Sequence, residues 1–232
     1  MRSLKTINAV VLLLSCAISV QAQSAGRPLS VAFLIDVSAS QERTISRTGK
    51  AARNSVATLL RSPDATTALI TFARSPSIKL PFTGDLKQID SALQAITFEP
   101  PPGYMGGGVV VGNAPVTRQA QSLGGTSVRD AIWFTFNKVF TQREKERSQA
   151  IILITDGEDS NSQRNLEDTI ARAVALNIRV YAIAVGEKRW VNRNKEALQK
   201  LSDQTGGKAF FPHSEKEMMD AMAQIESHLR TR

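Results

Sequence analysis

Two short apolar runs, each closed by an aspartate, do most to limit what this chain can fold into. Leu29-Ser30-Val31-Ala32-Phe33-Leu34-Ile35 stops at Asp36, and Ala150-Ile151-Ile152-Leu153-Ile154 stops at Thr155-Asp156-Gly157. Runs of this length without polar alternation suit strands buried on both faces, which calls for a parallel sheet covered by helices on each side. A chain of 232 residues with 42% hydrophobic content can supply the core for one such domain and a short extra segment.

The stretches around these runs carry helical spacing. Ile45, Gly49, Ala52, Val56, Leu59 and Leu60 share one face of a helix predicted over 41–61, ended by Ser62-Pro63-Asp64. Thr67 to Phe72 reads as a second strand. Ile78 to Phe82 follows so closely that only antiparallel pairing is open to it, and Pro81 suits an edge position. Asp85 is placed to cap a helix reaching about Ile96. Helical spacing returns from Ser127 to about Thr141, near 164–177 and near 194–204. Strands are expected from Ile178 to Val185 and around Ala209–Phe211, and a last helix aligns Met218, Met222, Ile225 and Leu229. The charged run Arg143 to Arg147 reads as a solvated helix end. Residues 99–123 form a Gly/Pro-rich insertion, in which Val109 to Val111 can make a small hairpin strand. The expected fold is α/β: a doubly wound, mainly parallel sheet with one antiparallel edge strand and helices on both faces.

In open α/β sheets, ligands bind beyond the carboxyl ends of the strands. Asp36 and Asp156 reach that edge from separate strands. In Asp36-Val37-Ser38-Ala39-Ser40, near-alternating side chains let Asp36, Ser38 and Ser40 point one way. The antiparallel strand leaves at the opposite edge, so the following helix climbs back and delivers Gly124-Gly125-Thr126 to the same edge. Carboxylates and hydroxyls are hard oxygen donors of the kind Mg²⁺ prefers, with Mn²⁺ and Ca²⁺ also accommodated. Each piece has a plainer reading: Ser38 or Ser40 as a helix cap, Asp156-Gly157 as a turn. Glu158 and Asp159 read as solvated rim charges, and His213 and His228 as structural. Trp190 and Arg189, on the same edge, and Tyr104, in the insertion, are candidate partner contacts.

Asp36-x-Ser38-x-Ser40, Thr126 in a Gly-Gly-Thr loop, and Thr155-Asp156-Gly157 together resemble the metal-ion-dependent adhesion site of von Willebrand factor A domains. The resemblance covers about residues 29–229 and is nearest to secreted bacterial members of that family. It implies a Rossmann-like fold, hydroxyl ligands from Ser38, Ser40 and Thr126, and contacts from Asp36 and Asp156, direct or through water. It further implies a partner protein that completes the coordination with an Asp or Glu. Two carboxylates neutralise a divalent cation, while neutral hydroxyls leave it electrophilic toward an incoming carboxylate. The departure from the family pattern is residues 99–123, which could cover the site or bring Glu99 to the metal.

Arg2 and Lys5, the apolar stretch Ala9 to Val20, and Val20-Gln21-Ala22 read as a secretory signal peptide over residues 1–22, cleaved after Ala22 and followed by a polar leader at 23–28. The stretch is shorter than the roughly 20 residues a membrane-crossing helix needs. A secreted or periplasmic location is therefore expected. Leu13-Leu14-Ser15-Cys16 also resembles a lipoprotein box, so a membrane enters only through lipidation at Cys16, the single cysteine. Removing Arg2 and Lys5 lowers the formal charge from +8 to +6. A dispersed basic excess fits an acidic partner, and no nucleic-acid motif is visible. Two other functions compete: metal-independent binding of an anionic envelope component through the basic surface, and Mg²⁺-dependent hydrolysis. There is no G-x-S-x-G elbow, no phosphate loop and no histidine near the site in sequence, so no enzymatic role is expected. Deleting 99–123 should change partner affinity while metal binding persists; unchanged partner affinity would contradict a selecting role for the insertion.

Overall fold

A computed structural model describes residues 28–60, 64–100, 103–106, 109–110, 125–140 and 147–230. The signal segment, Cys16 and most of the insertion lie outside the described residues. Both apolar runs are strands, β1 (Leu29–Asp36) and one at Ser148–Thr155, and both are buried along nearly their whole length. They pair side by side and in parallel, Leu29 opposite Ser148 and Ile35 opposite Ile154.

The remaining strands are β2 (Ala65–Phe72), β3 (Pro76–Thr83), a small hairpin of β4 (Tyr104–Gly106) and β5 (Val109–Val110), then β6 (Ser148–Thr155), β7 (Ile178–Ala184) and β8 (Ala209–Phe210). The main sheet has the order β3-β2-β1-β6-β7-β8, with β3 the antiparallel edge. The chain winds outward from β1 to β2 and then restarts at β6 on the other side. The reversal between β1 and β6 is the switch point where open α/β sheets leave a crevice.

Period-two alternation sends residues of each buried strand to opposite faces. Ala32, Leu34, Ile151 and Leu153 pack under α3 (Val128–Phe134), α4 (Leu166–Ala175) and α5 (Lys188–Gln204). Val31, Phe33, Ile35, Ile152 and Ile154 pack under α1 (Ile45–Leu59), α2 (Leu86–Gln94) and α6 (Glu215–Arg230). Asp85 does cap α2, accepting from the Lys87 and Gln88 amides at 2.8 and 3.3 Å. No helix among the described residues is long and apolar enough to cross a membrane.

Four sequence expectations need correction. The first helix begins at Ile45, because residues 39–41 form a 3-10 turn that buries Gln41. The helix from Ser127 keeps α geometry only to Phe134, then widens into a π-helical turn at Thr135–Val139. That turn buries Phe136, Val139 and Phe140, and Phe140 meets Phe82 of the edge strand at 5.3 Å. The helix placed near 194–204 starts at Lys188, so Arg189 and Trp190 belong to its first turn. Arg147 is no solvated helix end. Its guanidinium donates to Ser30 Oγ at 2.6 Å, the Leu29 carbonyl at 3.0 Å and the Asp64 carbonyl, tying the amino ends of β1, β2 and β6 together.

Arg147→Ala leaves acceptors of three strand ends without their charged donor. It should cost about 2 kcal/mol, read as a lowered urea midpoint at unchanged slope; an unshifted midpoint would show that the ends hold without it.

Candidate functional site

Register brings the functional side chains together. Asp36 ends β1 opposite Phe72 of β2, and Val37 N donates to the Phe72 carbonyl at 2.9 Å. On the other side of β1, Ile35 faces Ile154, so Thr155 is level with Asp36 and Asp156 lies one residue beyond. The Thr126 loop reaches the same edge, where Ser127 N donates to the carbonyl of Ala73, just past β2, at 2.9 Å. Asp36, Ser38, Thr126 and Asp156 are all buried, and Ser40 is half-buried.

Asp36 is held from both sides. Its Oδ1 accepts from Ser38 N at 2.9 Å and Ser38 Oγ at 2.6 Å. Its Oδ2 accepts from Thr155 Oγ1 at 2.6 Å, and that oxygen in turn accepts from Gly157 N at 3.0 Å. Ser38 Oγ lies 3.1 Å from Ser40 Oγ. Neither serine caps a helix: α1 begins five residues after Ser40, and Ser38 spends its hydroxyl on Asp36. Asp156 does make a local turn contact, Oδ1 accepting from Glu158 N at 3.1 Å. Its Oδ2 is buried without a hydrogen-bond partner.

Two buried carboxyls at one spot oppose each other's ionisation. Burial first, then the charge of Asp156, push the Asp36 carboxyl up to about 7, against the pull of the Ser38 and Thr155 hydroxyls. Burial also raises Asp156; the Glu158 amide and the Ser40 and Gln41 side chains pull it back, the last two from positions near enough to act on the carboxyl without closing a hydrogen bond on Oδ2. An orphaned carboxylate oxygen beside a strained carboxyl, among hydroxyls, is chemistry that a small hard cation fits. No group of three or more His, Cys, Asp or Glu gathers among the described residues, so a cation here would depend on the hydroxyls.

Close backbone approach tightens the notch. A Cβ on Gly186 would stand 2.5 Å from the Asp156 Cβ. Gly157 has φ +82, and a Cβ there would meet the Asn194 Cβ of α5 at 2.8 Å. Thr155 and Gln41 carried no assigned role in the sequence. Their part depends on pairing between β1 and β6 and on an inward 3-10 turn, neither of which has a local signal. Asp159 corrects the expectation of a solvated rim charge: it accepts from Arg129 N at 2.9 Å and Ser162 N at 3.1 Å, and pairs with the Arg129 side chain at 3.2 Å. With Ser160 N and Asn161 N donating to the Thr126 carbonyl at 3.1 Å, it clamps the loop after Asp156 onto the Thr126 loop.

The sequence matches the von Willebrand factor type A domain family twice, over residues 31–158, more than half of the chain, and over residues 113–224. The chain belongs to that family. A curated relative, calcium-activated chloride channel regulator 3A-1 of Mus musculus, is 30% identical over 108 residues, which is 46% of this chain and 11% of the mouse protein. The chain thus spans about a ninth of that relative's length. Among solved structures, the conserved hypothetical protein BatB from Bacteroides thetaiotaomicron has a TM-score of 0.60 at 17% identity, covering 88% of this chain and all of that one. Proximal thread matrix protein 1 from the mussel byssus, with a zinc-occupied MIDAS motif, has a TM-score of 0.61 at 16% identity, covering 87% of this chain and 46% of that one. At such identities these two likenesses speak to the fold, and they agree with the Rossmann-like sheet expected of a von Willebrand factor A domain.

The other residues singled out in the sequence make local contacts. Trp190 is half-buried, with the Arg189 and Arg193 guanidiniums 4.9 and 4.8 Å from its ring centre. Tyr104 donates its hydroxyl to Glu42 Oε2 at 2.6 Å and meets Phe98 edge-on at 5.8 Å, and Met105 beside it is exposed. The Glu99 carboxylate lies 3.4 Å from Lys79 Nζ, and His228 Nδ1 is 3.0 Å from the hydroxyl of buried Tyr181.

With Asp36 raised from 3.8 to about 7, the metal-free native chain holds more protons than the unfolded chain across that range. Native stability carried by Asp36 therefore falls as pH rises from about 4 to about 7. Asp36→Asn removes the charge, so its stability advantage over wild type in chelator should grow across that window in urea unfolding. An advantage that stays flat or shrinks would contradict the strain.

Proposed function

We propose that this von Willebrand factor A domain is an extracytoplasmic binding module. In this reading it holds a divalent metal, Mg²⁺ first among candidates, and grips an acidic side chain of a partner protein through it. The observation that carries the reading is the buried, partnerless Oδ2 of Asp156 beside the strained Asp36 carboxyl. Ser38, Ser40 and Thr126 would hold the ion by their hydroxyls, with Asp36 and Asp156 direct or through water. Bound there, the ion supplies a positive centre that attracts one more carboxylate. Thr155 and the Ser38 amide orient Asp36 from behind, and Gly157 N orients Thr155.

The distribution of acids supports a partner carboxylate rather than one from the insertion. Between Glu99 and Asp130 the sequence has no Asp or Glu. Glu99 is engaged by Lys79. The zinc-occupied MIDAS motif of the mussel protein and the signal-like N-terminus, Arg2 to Ala22, also favour this reading.

Calorimetric titration of Mg²⁺ and Mn²⁺ should give one ion per chain, lost in Asp36→Ala. Thr155→Val keeps shape but drops the bond behind Asp36, and should weaken the ion by about 10- to 100-fold. A folded wild type that binds neither ion would favour metal-free binding through the basic surface instead.

A further inference from the structure

We propose that Arg189, Trp190 and Arg193 form an anion-binding subsite beside the metal site, so that the partner segment carries two acidic side chains rather than one. The proposal rests on the metal-binding reading above and specifies its partner. The first turns of α5 lie directly against the Asp156 loop. Gly157 abuts Asn194 so closely that a Cβ would stand 2.8 Å away, and Asn194 Nδ2 donates to the Trp190 carbonyl at 2.9 Å. Val185 N donates to the Thr155 carbonyl at 2.8 Å, fixing the end of β7, from which α5 departs, beside the site.

Trp190 acts as a rack for two guanidiniums, whose central carbons lie over its ring at 4.9 and 4.8 Å from the ring centre. A planar guanidinium held on an aromatic ring keeps its in-plane N–H fork available and loses little freedom on binding a carboxylate. Arg189 shares one edge with Glu187 at 2.9 Å, while Arg193 makes no ion pair among the described residues. Both arginines are exposed. A partner that covers this turn while its first acid is on the metal desolvates that fork. Glu158, whose carboxyl the Arg193 and Arg189 charges pull down against its burial, offsets only part of this two-arginine cluster, so covering it favours a partner that brings one more acceptor. A second carboxylate of the same peptide meets the fork's geometry and charge.

The test uses the full chain at saturating Mg²⁺ and synthetic Gly/Ser peptides carrying one Asp, or two Asp at spacings of two to five residues, with affinities from NMR titration. At the best spacing the two-Asp peptide should bind wild type roughly three- to tenfold tighter than the one-Asp peptide. In Arg189→Ala/Arg193→Ala the ratio of two-Asp to one-Asp affinity should fall to about one, with Mg²⁺ still bound, whatever general loss both peptides share. In Arg189→Lys/Arg193→Lys it should return only in part, since an ammonium has no planar fork. Equal binding of both peptides by wild type, or an advantage that survives in the alanine or fully in the lysine variant, overturns the subsite. Peptide binding unchanged by chelation and by Asp36→Ala overturns the metal reading itself, and the two-point proposal with it.

Discussion

The parallel pairing of β1 with β6 is the constraint on which the rest depends. It is strong because both strands are apolar on both faces and buried under helices from either side, so slipping the register would cost core contacts along the whole length. It is consequential because each strand ends in an aspartate. The core therefore forces two carboxyls to one buried edge at the switch point of the sheet, where neither has room to leave. The hydrophobic energy of the layers holds an arrangement that the carboxyls alone would not choose.

What surrounds the pair reads as support for that strain. Thr155 reaches across from β6 to Asp36, and the Gly157 amide fixes Thr155. Asp159 and Arg129 tie the Asp156 loop to the start of α3, next to Thr126. Gly186 and Gly157 let neighbouring chain come closer than any side chain would permit. These contacts are short and hold one another in place, which favours a rigid notch over one that assembles only on binding.

Part of this was legible from residues alone. The unbroken apolar runs announced a doubly wound sheet, and the Pro81 strand announced its own edge position. The site edge followed from topology, and Asp36, Ser38 and Asp156 do meet there. The missed features arise from contacts between distant segments. Arg147 looked like one more charge in a charged run, because the strand-end carbonyls it ties are 83 and 118 residues away. Asp159 looked like a rim charge, because its partner Arg129 lies 30 residues back. The start of α5 at Lys188 was hidden because its N-cap residue, Glu187, makes no side-chain cap. The π turn after Phe134 follows from seating Phe136 and Phe140 in the core, a tertiary demand that helical periodicity does not encode.

The most direct test of the central claim is an anomalous difference map from a crystal of the chain grown with Mn²⁺. The account predicts one peak bounded by Asp36, Ser38, Ser40, Thr126 and Asp156, with the Asp156 carboxylate turned toward it, directly or through water. A peak elsewhere, or none at saturating Mn²⁺ with Asp156 Oδ2 bonded to a protein group, would contradict it.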